Sequence, residues 1–378
     1  MPDNKKHHYV PRFYLKRFST EGNCINLWNI PNSKKIISSN LKNQCYKNYF
    51  YGKNLTIENA LAKIEEKTAV IFRSIEQYGH PPPENSYDYF ALTLYVIIQY
   101  ARTLYSTNSM EEMHDRLIKH LLAPKLKAEG IENNDFNIGI VNAPQLLVGT
   151  ATQLHPLMLD LKCKLLSNET CVDFVTSDSP VVFYNQLFNF RKSGSNTGIS
   201  SKGLKIFFPI SPKKVLLFYD SEAYSVGSRL KNVIKVSSTR DVFEINTLQM
   251  CSANENVYFK DRNTNILALN RKAKPFRRQV MTTTKIIPIE ETEATKREFV
   301  VSSHEDIRTN LALSFLKLTR NTKKWRKSFQ KLTEQPAIVV RDEELCEDHR
   351  QFLEKVDDHE YEPADFLKFL RDKHDRHS

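Results

Sequence analysis

An α+β fold, mainly helical with short strands in its N-terminal half and with an antiparallel sheet in its second half, follows from three features of the sequence. Apolar residues recur at helical spacing between Thr56 and Leu166. Strand-length apolar runs separated by turn tetrads occupy 172–259. The two patterns are segregated along the chain and do not alternate, which argues against a doubly wound parallel sheet.

Residues Pro11–Phe18 (PRFYLKRF) read as a short helix with Pro11 at its first position, where a missing N–H is harmless. Two short strands, Ile25–Ile30 and Lys35–Ser39, flank a PNS turn. From Thr56 to Tyr78, Ile57, Leu61, Ile64, Ile71 and Ile75 make an apolar stripe, with Thr56 as the expected N-cap and the prolines at 81–83 as the stop. The segment Tyr87–Tyr105 has no polar face and is expected to be buried. A polar helix, Ser109–Leu126, and a fourth, Ala143–Leu166, running through or kinking at Pro156, complete the helical half.

In the second half Val172–Thr176 and Val181–Tyr184 flank the turn former SDSP, and Lys205–Ile210 with Lys214–Tyr219 form a hairpin around SPK. A helix over Asp241–Ala253 and a strand at Asn256–Phe259 precede a basic loop at 271–278. Beyond about residue 285 the character changes, so the chain is divided into a core, 1–285, and a charged, mainly helical extension, 286–378. Residues 317–331 hold seven Lys or Arg and no acid, whereas 342–361 hold nine acids against Arg350 and Lys355. Opposed blocks of this kind suggest docking within the chain or a partner-binding tail. Leu311, Phe315, Leu318, Trp325, Phe329 and Leu332 follow helical spacing and are read as one packing stripe.

Composition narrows the function classes. With 378 residues, 22 Phe and 16 Tyr, the chain can bury a substantial core. Only 10 Gly are present, and neither GxGxxG nor GxxxxGK[ST] occurs, which counts against dinucleotide-fold and P-loop enzymes. The six cysteines are scattered without a CxxC pair, so neither a disulfide framework nor a zinc ribbon is expected. MPDNKKHHYV lacks the apolar stretch of a secretion signal, and the apolar run Tyr89–Ile98 is about half of a bilayer span. A cytoplasmic, reduced protein with no membrane segment is therefore expected. Its net charge of +11 favours polyanionic partners. No oligomeric state is specified.

The sharpest chemical feature is Arg102, three residues after Gln99 on the buried segment. A buried guanidinium without a partner is costly, so the fold must supply a carboxylate or leave it facing a phosphate-bearing ligand. Glu58 and Glu65, two turns apart on the preceding helix, are the candidate counter-ions. A structural salt bridge is the first reading of this pair and metal binding the second. His7 and His8 could transfer protons near neutral pH, or could be solvated terminal residues. Asp178, in TSDSP, is read equally as a turn cap and as a carboxylate facing a cleft. His155 reads first as a buried, satisfied histidine. No HExxH or GxSxG motif occurs.

At HHYVPRFYLKRFS (7–19) the chain strongly resembles the bacterial family called domain of unknown function 4238, whose members open on a similar signature. The resemblance continues through the helix carrying Glu58, Leu61 and Glu65, through QYART (99–103), FVTSDSPVV (174–182) and FPISPKKVLLF (208–218), to a helix containing Asn246 and to VYF (257–259). It covers about residues 5–260. Members often show TSDNP, so Ser179 is a departure. The resemblance implies recurrence of His7, His8, Glu65, Gln99, Arg102 and Asp178, and a role as a single-gene anti-phage system.

Together these readings predict a defence effector that cleaves nucleic acid, RNA or tRNA before duplex DNA. His7 or His8 would be the general acid or base, with Arg102 and Gln99 on the scissile phosphate. Asp178 and Glu65 would orient the imidazole or hold a divalent ion such as Mg²⁺. Lys323, Lys324, Arg326, Arg277 and Arg278 would grip the backbone. A non-catalytic nucleic-acid or ligand sensor is the first alternative, and a nucleotide- or protein-modifying hydrolase or transferase the second.

Overall fold

The computed structural model describes residues 5–20, 22–132, 135–191, 196–277, 282–289, 297–304, 307–330 and 339–375. Its order is β1 (Lys6–His8), α1 (Arg12–Leu15), β2 (Cys24–Asn29), β3 (Lys34–Asn40), β4 (Tyr46–Asn48), α2 (Thr56–Tyr78), α3 (Tyr87–Ala101), α4 (Leu104–Ala128) and α5 (Ala143–Leu154). There follow β5 (Lys162–Asn168), β6 (Thr176–Ser177), β7 (Val182–Tyr184), β8 (Lys205–Ser211), β9 (Lys214–Tyr219), β10 (Tyr224–Val226), β11 (Val233–Val236), α6 (Thr239–Ser252), β12 (Asn256–Phe259) and α7 (Ile266–Ala273). The remainder is β13 (Thr282–Ile289), β14 (Arg297–His304), β15 (Leu316–Leu318), α8 (Arg320–Phe329), α9 (Glu343–Asp357) and α10 (Phe366–Asp375). The α+β class is as expected.

A five-stranded sheet of order β11-β5-β9-β8-β7 forms the centre. Its pairs are antiparallel except β11 with β5, which is parallel. Both faces are buried, so alternate residues feed two cores. Ile206, Phe208, Leu216 and Phe218 pack with α1, α2, α3 and α5. Phe207, Leu217 and Tyr219 face α6, α7 and the second sheet. That second sheet, of order β3-β2-β12-β6, pairs strands of the first half with strands of the second, so the two halves interleave.

Several local expectations are corrected. Thr56 is the first helical residue of α2, behind Leu55, and no side chain caps that end. The fourth helix ends at Leu154, a 3-10 turn carries His155–Met158, and 162–168 is a strand instead. Pro156 can occupy that turn because a 3-10 segment so short leaves its first N–H groups unused. KCKLLSN then gains ladder bonds on both sides, from β9 and β11, which a helix would forgo. The basic 271–278 stretch is no open loop: α7 includes Arg271 and Lys272, and a 3-10 turn follows at Lys274–Phe276. The stripe from Leu311 is not one helix either. Leu316–Leu318 pairs with β10, and among the described residues of the stripe only Arg320–Phe329 is helical, because Leu311 and Leu313 reach the core in extended chain; Leu332 lies outside the described residues.

The extension is docked against the core. Arg341 donates two bonds to Asp160, at 2.6 and 2.8 Å, and others to the carbonyls of Leu157, Ile199 and Ser201. His349 Nε2 meets the carbonyl of Gln153 at 2.7 Å. The β13–β14 hairpin spans residue 285, where the composition changes. Among the described residues no helix is long and apolar enough to cross a membrane.

Candidate functional site

Arg102 terminates α3 and is 1% exposed. Its Nη1 donates to Glu65 Oε1 at 2.7 Å, and its Nε to Gln99 Oε1 at 2.9 Å. Gln99 in turn donates to the carbonyl of Tyr9 at 3.0 Å. Residues 95, 99 and 102 share one side of α3, so the Tyr95 ring lies under the guanidinium, 5.6 Å from its centroid. Burial alone would pull the guanidinium's pKa down, but the Glu65 carboxylate more than offsets this and holds it above its ordinary value.

Three donors around this centre are incompletely used. Arg102 Nη2 and the hydroxyls of Tyr51 and Tyr95 are buried, and none completes a hydrogen bond of good geometry among the described residues, although the guanidinium faces both phenols. Burial holds both phenols above their usual range. Groups of this kind are normally satisfied by water or by a ligand.

His7 belongs to the same nest. Strand β1 alternates, so His7 points inward while His8 points away. The His7 ring stacks on Tyr51 at 5.8 Å, and its Nδ1 accepts the Tyr51 N–H at 3.1 Å, which leaves the proton of the neutral ring on Nε2. The chain between β3 and α2 turns sharply to deliver Tyr51, with Cys45 and Tyr49 in the left-handed region at φ 51° and 52°. Glu58 completes the set. Burial, then the Glu65 charge, push its carboxyl up to about 7, against the pull of Arg102. Of these residues only Glu58 and Glu65 are partly exposed, so the nest meets solvent through its two carboxylates.

His8 and Asp178 hold other partners. His8 Nδ1 meets the Gln44 carbonyl at 3.0 Å, so this ring is the Nδ1–H tautomer. Burial pushes its pKa down to about 4, which makes it a weak base. Asp178 Oδ1 accepts the Asn254 N–H at 2.8 Å, and Oδ2 those of Glu255 and Asn256 at 2.7 and 2.9 Å. Arg277 grips the same loop through the carbonyls of Ala253 and Asn254 at 3.2 and 3.3 Å. Asp178 is therefore a turn carboxylate holding the entry to β12. Burial nonetheless raises its pKa to about 6 against the effect of the three N–H groups. Asp178→Ala leaves three part-buried N–H groups unmatched and is expected to cost about 3 kcal/mol in urea unfolding. A loss below roughly 1 kcal/mol would remove the staple role.

The Mg²⁺ pair expected of Glu65 and Asp178 is thus not assembled, since one carboxylate pairs with Arg102 and the other with a backbone loop. Among the described residues no three His, Cys, Asp or Glu side chains form a metal-ligand group. Tyr9 links the two places: its carbonyl takes Gln99, and its phenol, beside Cys45, feels the Asp178 charge. Of the backbone-gripping set, Lys323 and Lys324 are exposed on α8, and Arg326 lies 5.9 Å from the Phe190 ring centroid. Arg277 is half-buried and engaged as above, and Arg278 lies outside the described residues. His155 is buried and satisfied, with Nε2 2.8 Å from the Thr93 hydroxyl. Ser179 Oγ is buried in the turn without a partner among the described residues.

The sequence profile of the DUF4238 family, described as proteins of unknown function, matches residues 6–263. The chain belongs to the DUF4238 family. No curated protein and no solved structure matches it. The DUF4238 match contains every member of the Arg102 nest and the Asp178 turn, and it stops before β13. Sequence reasoning missed Tyr51 and Tyr95. Tyr95 was findable, four residues before Gln99 and seven before Arg102. Tyr51 carries no local signal, because only the fold of the 45–51 turn brings it to α3.

Proposed function

We propose that the protein is an RNA-cleaving effector of phage defence whose reacting phosphate is held at the Arg102 nest. The observation that carries this reading is the convergence of three underused donors, Arg102 Nη2 and the Tyr51 and Tyr95 hydroxyls, beside a carboxyl that titrates near neutrality. Donors gathered in a dry site, here a guanidinium facing two phenols, suit an oxygen on which negative charge develops. Glu58, poised at about 7, replaces the histidines as general acid or base, since such a group donates and accepts protons with comparable ease at physiological pH. Glu65 and Gln99 fix the guanidinium, and His7 fixes Tyr51. A nest this enclosed favours a flexible single strand over a duplex, whose phosphates cannot be drawn in. The exposed lysines of α8 add sequence-independent attraction.

Glu58→Gln tests the assignment, because it keeps shape and removes the titrating group. Cleavage of single-stranded RNA by purified protein is expected to fall by about 10²–10⁴-fold, and the wild-type pH–rate profile to turn near 7. Wild-type rates matched by the variant, or RNA left uncut by wild type with and without divalent ions, would overturn it.

A second reading, a ligand sensor that acts through a partner, is favoured by a separate observation. Cavities of about 690 and 680 Å³ are lined by residues outside the nest, including Lys162 and Lys164 in one and Arg17 and Arg262 in the other. Full phage protection by Glu58→Gln and Arg102→Lys would point there.

A further inference from the structure

We infer that Lys205, Tyr224 and Arg326 form a second site, which binds the phosphomonoester group of a small molecule entering through the neighbouring 690 Å³ cavity. Lys205 opens β8 and is fully buried, and its Nζ has no hydrogen-bond partner among the described residues. The ammonium lies 4.2 Å from the Tyr224 ring centroid and 5.0 Å from that of Tyr184. The Tyr224 hydroxyl is also buried and without a well-formed bond; the nearby Leu187 N–H already donates to Asn185 Oδ1 at 3.0 Å. Arg326 Nε, whose charge reaches the Tyr224 phenol, is the third such donor. The two cations thus meet at the Tyr224 phenol, which the Asp220 charge also reaches. Asp220 is itself occupied by the N–H groups of Gly203, Glu222 and Ala223 at 2.7–3.1 Å, and Glu222 pairs with Lys202 at 3.2 Å.

The sheet joins this cluster to the cavity. Lys162, Tyr219, Lys205 and Tyr184 are direct cross-strand partners in a row over β5, β9, β8 and β7, so their side chains leave one face. Lys162, Tyr219 and Tyr224 line the cavity, and Lys164 and Arg229 add positive charge to its wall against Glu84. Its volume is within the range of small-molecule sites, about 300–1,000 Å³. A buried ammonium without a counter-ion is costly, and with the half-buried Arg326 beside the same phenol a doubly charged oxyanion removes that cost. Tyr219 and Tyr224 offer rings against which the rest of the ligand can lie.

Lys205 must be protonated to bind an anion. Tyr184 from β7, Tyr219 from β9 and Tyr224 from β10 face it, Arg326 from α8 acts on the Tyr224 phenol, and burial brings the Lys205 pKa down to about 7. The test titrates the full chain calorimetrically with inorganic phosphate, a nucleoside monophosphate and a 5′-phosphorylated tetraribonucleotide at constant ionic strength. Binding of phosphate is expected, weakened at least tenfold by Lys205→Met and by Arg326→Ala. Binding of the mononucleotide alone, among the larger probes, supports a small-molecule ligand. Preference for the oligonucleotide would overturn that part and make the site an RNA-end receptor. Sulfate, whose charge is constant over this range, should bind about 25-fold more weakly at pH 8.5 than at pH 6.5. This arm needs no variant and covers a Lys205→Met chain that fails to fold. No phosphate binding, or binding unchanged in both variants, overturns the site. The inference does not involve the Arg102 nest, so either can fail alone.

Discussion

Arg102→Ala is expected to destabilise the protein by about 4 kcal/mol, measured as a drop in the urea unfolding midpoint at unchanged slope. The change removes the donors to Glu65 and Gln99 and leaves Gln99 Oε1 buried with one bond fewer. It also empties a guanidinium-sized volume over Tyr95. Glu65 keeps some contact with water, which is why the value is placed in the middle of the range for broken buried pairs. Arg102→Lys retains charge but cannot serve both acceptors in the same plane, and should fall between. Stability and chemistry separate in the double variant Arg102→Met, Glu65→Leu. Replacing both ions by apolar groups of similar volume is often neutral or stabilising, so folding should recover while RNA cleavage stays lost. Recovery of both would make the pair purely structural. A loss below about 1 kcal/mol in Arg102→Ala would show that the guanidinium does not organise this end of α3.

Lys205→Met is expected to stabilise the protein at pH 7, with an advantage over wild type that shrinks by about 3 kcal/mol on going to pH 9.5. The sign follows from proton counting. In the folded state burial lowers the amine's pKa to about 7, whereas the unfolded chain holds its proton to about 10.4. Between those values the unfolded state binds more protons, so raising the pH favours the fold; below about 7 both states are charged and the penalty is constant. Comparing wild type with the variant across this window cancels the other lysines and tyrosines, apart from those touching Lys205. Parallel curves for the two proteins would mean that the amine is solvated in the fold. Saturating phosphate should stabilise wild type at pH 7 and leave Lys205→Met unmoved, which ties this result to the second site.

How far the sequence reached is visible at single residues. The apolar all-round pattern of Tyr87–Tyr105 was enough to bury Arg102, and elementary desolvation then required an anionic partner, a carboxylate such as Glu58 or Glu65 or a phosphate-bearing ligand. Local spacing could not choose between the two acids. The structure gives the salt bridge to Glu65 and leaves Glu58 protonatable near pH 7. His7 and His8 were inseparable as a pair of letters. The pairing of β1 with β4 put one ring on Tyr51 and the other on Gln44. Asp178 was balanced between a turn and a cleft, and the three N–H groups it accepts lie more than seventy residues away, where no turn rule reaches.

Periodicity and turn chemistry by themselves determined the α+β class, the hairpin at Lys205–Tyr219, most helix positions and the need for an ion pair at Arg102, because each depends on neighbours within one or two turns of chain. The strand at 162–168, the extended run through Leu311 and Leu313, the Tyr51 and Tyr95 nest and the buried amine of Lys205 were decided only in three dimensions. Each of these owes its state to partners from distant segments: β9 and β11 for the strand, the second core for the leucines, the 45–51 turn for Arg102, and the rings of Tyr184 and Tyr224 for Lys205. Burial and charge pairing act through space, and a pattern along the chain records only the part of them that is local.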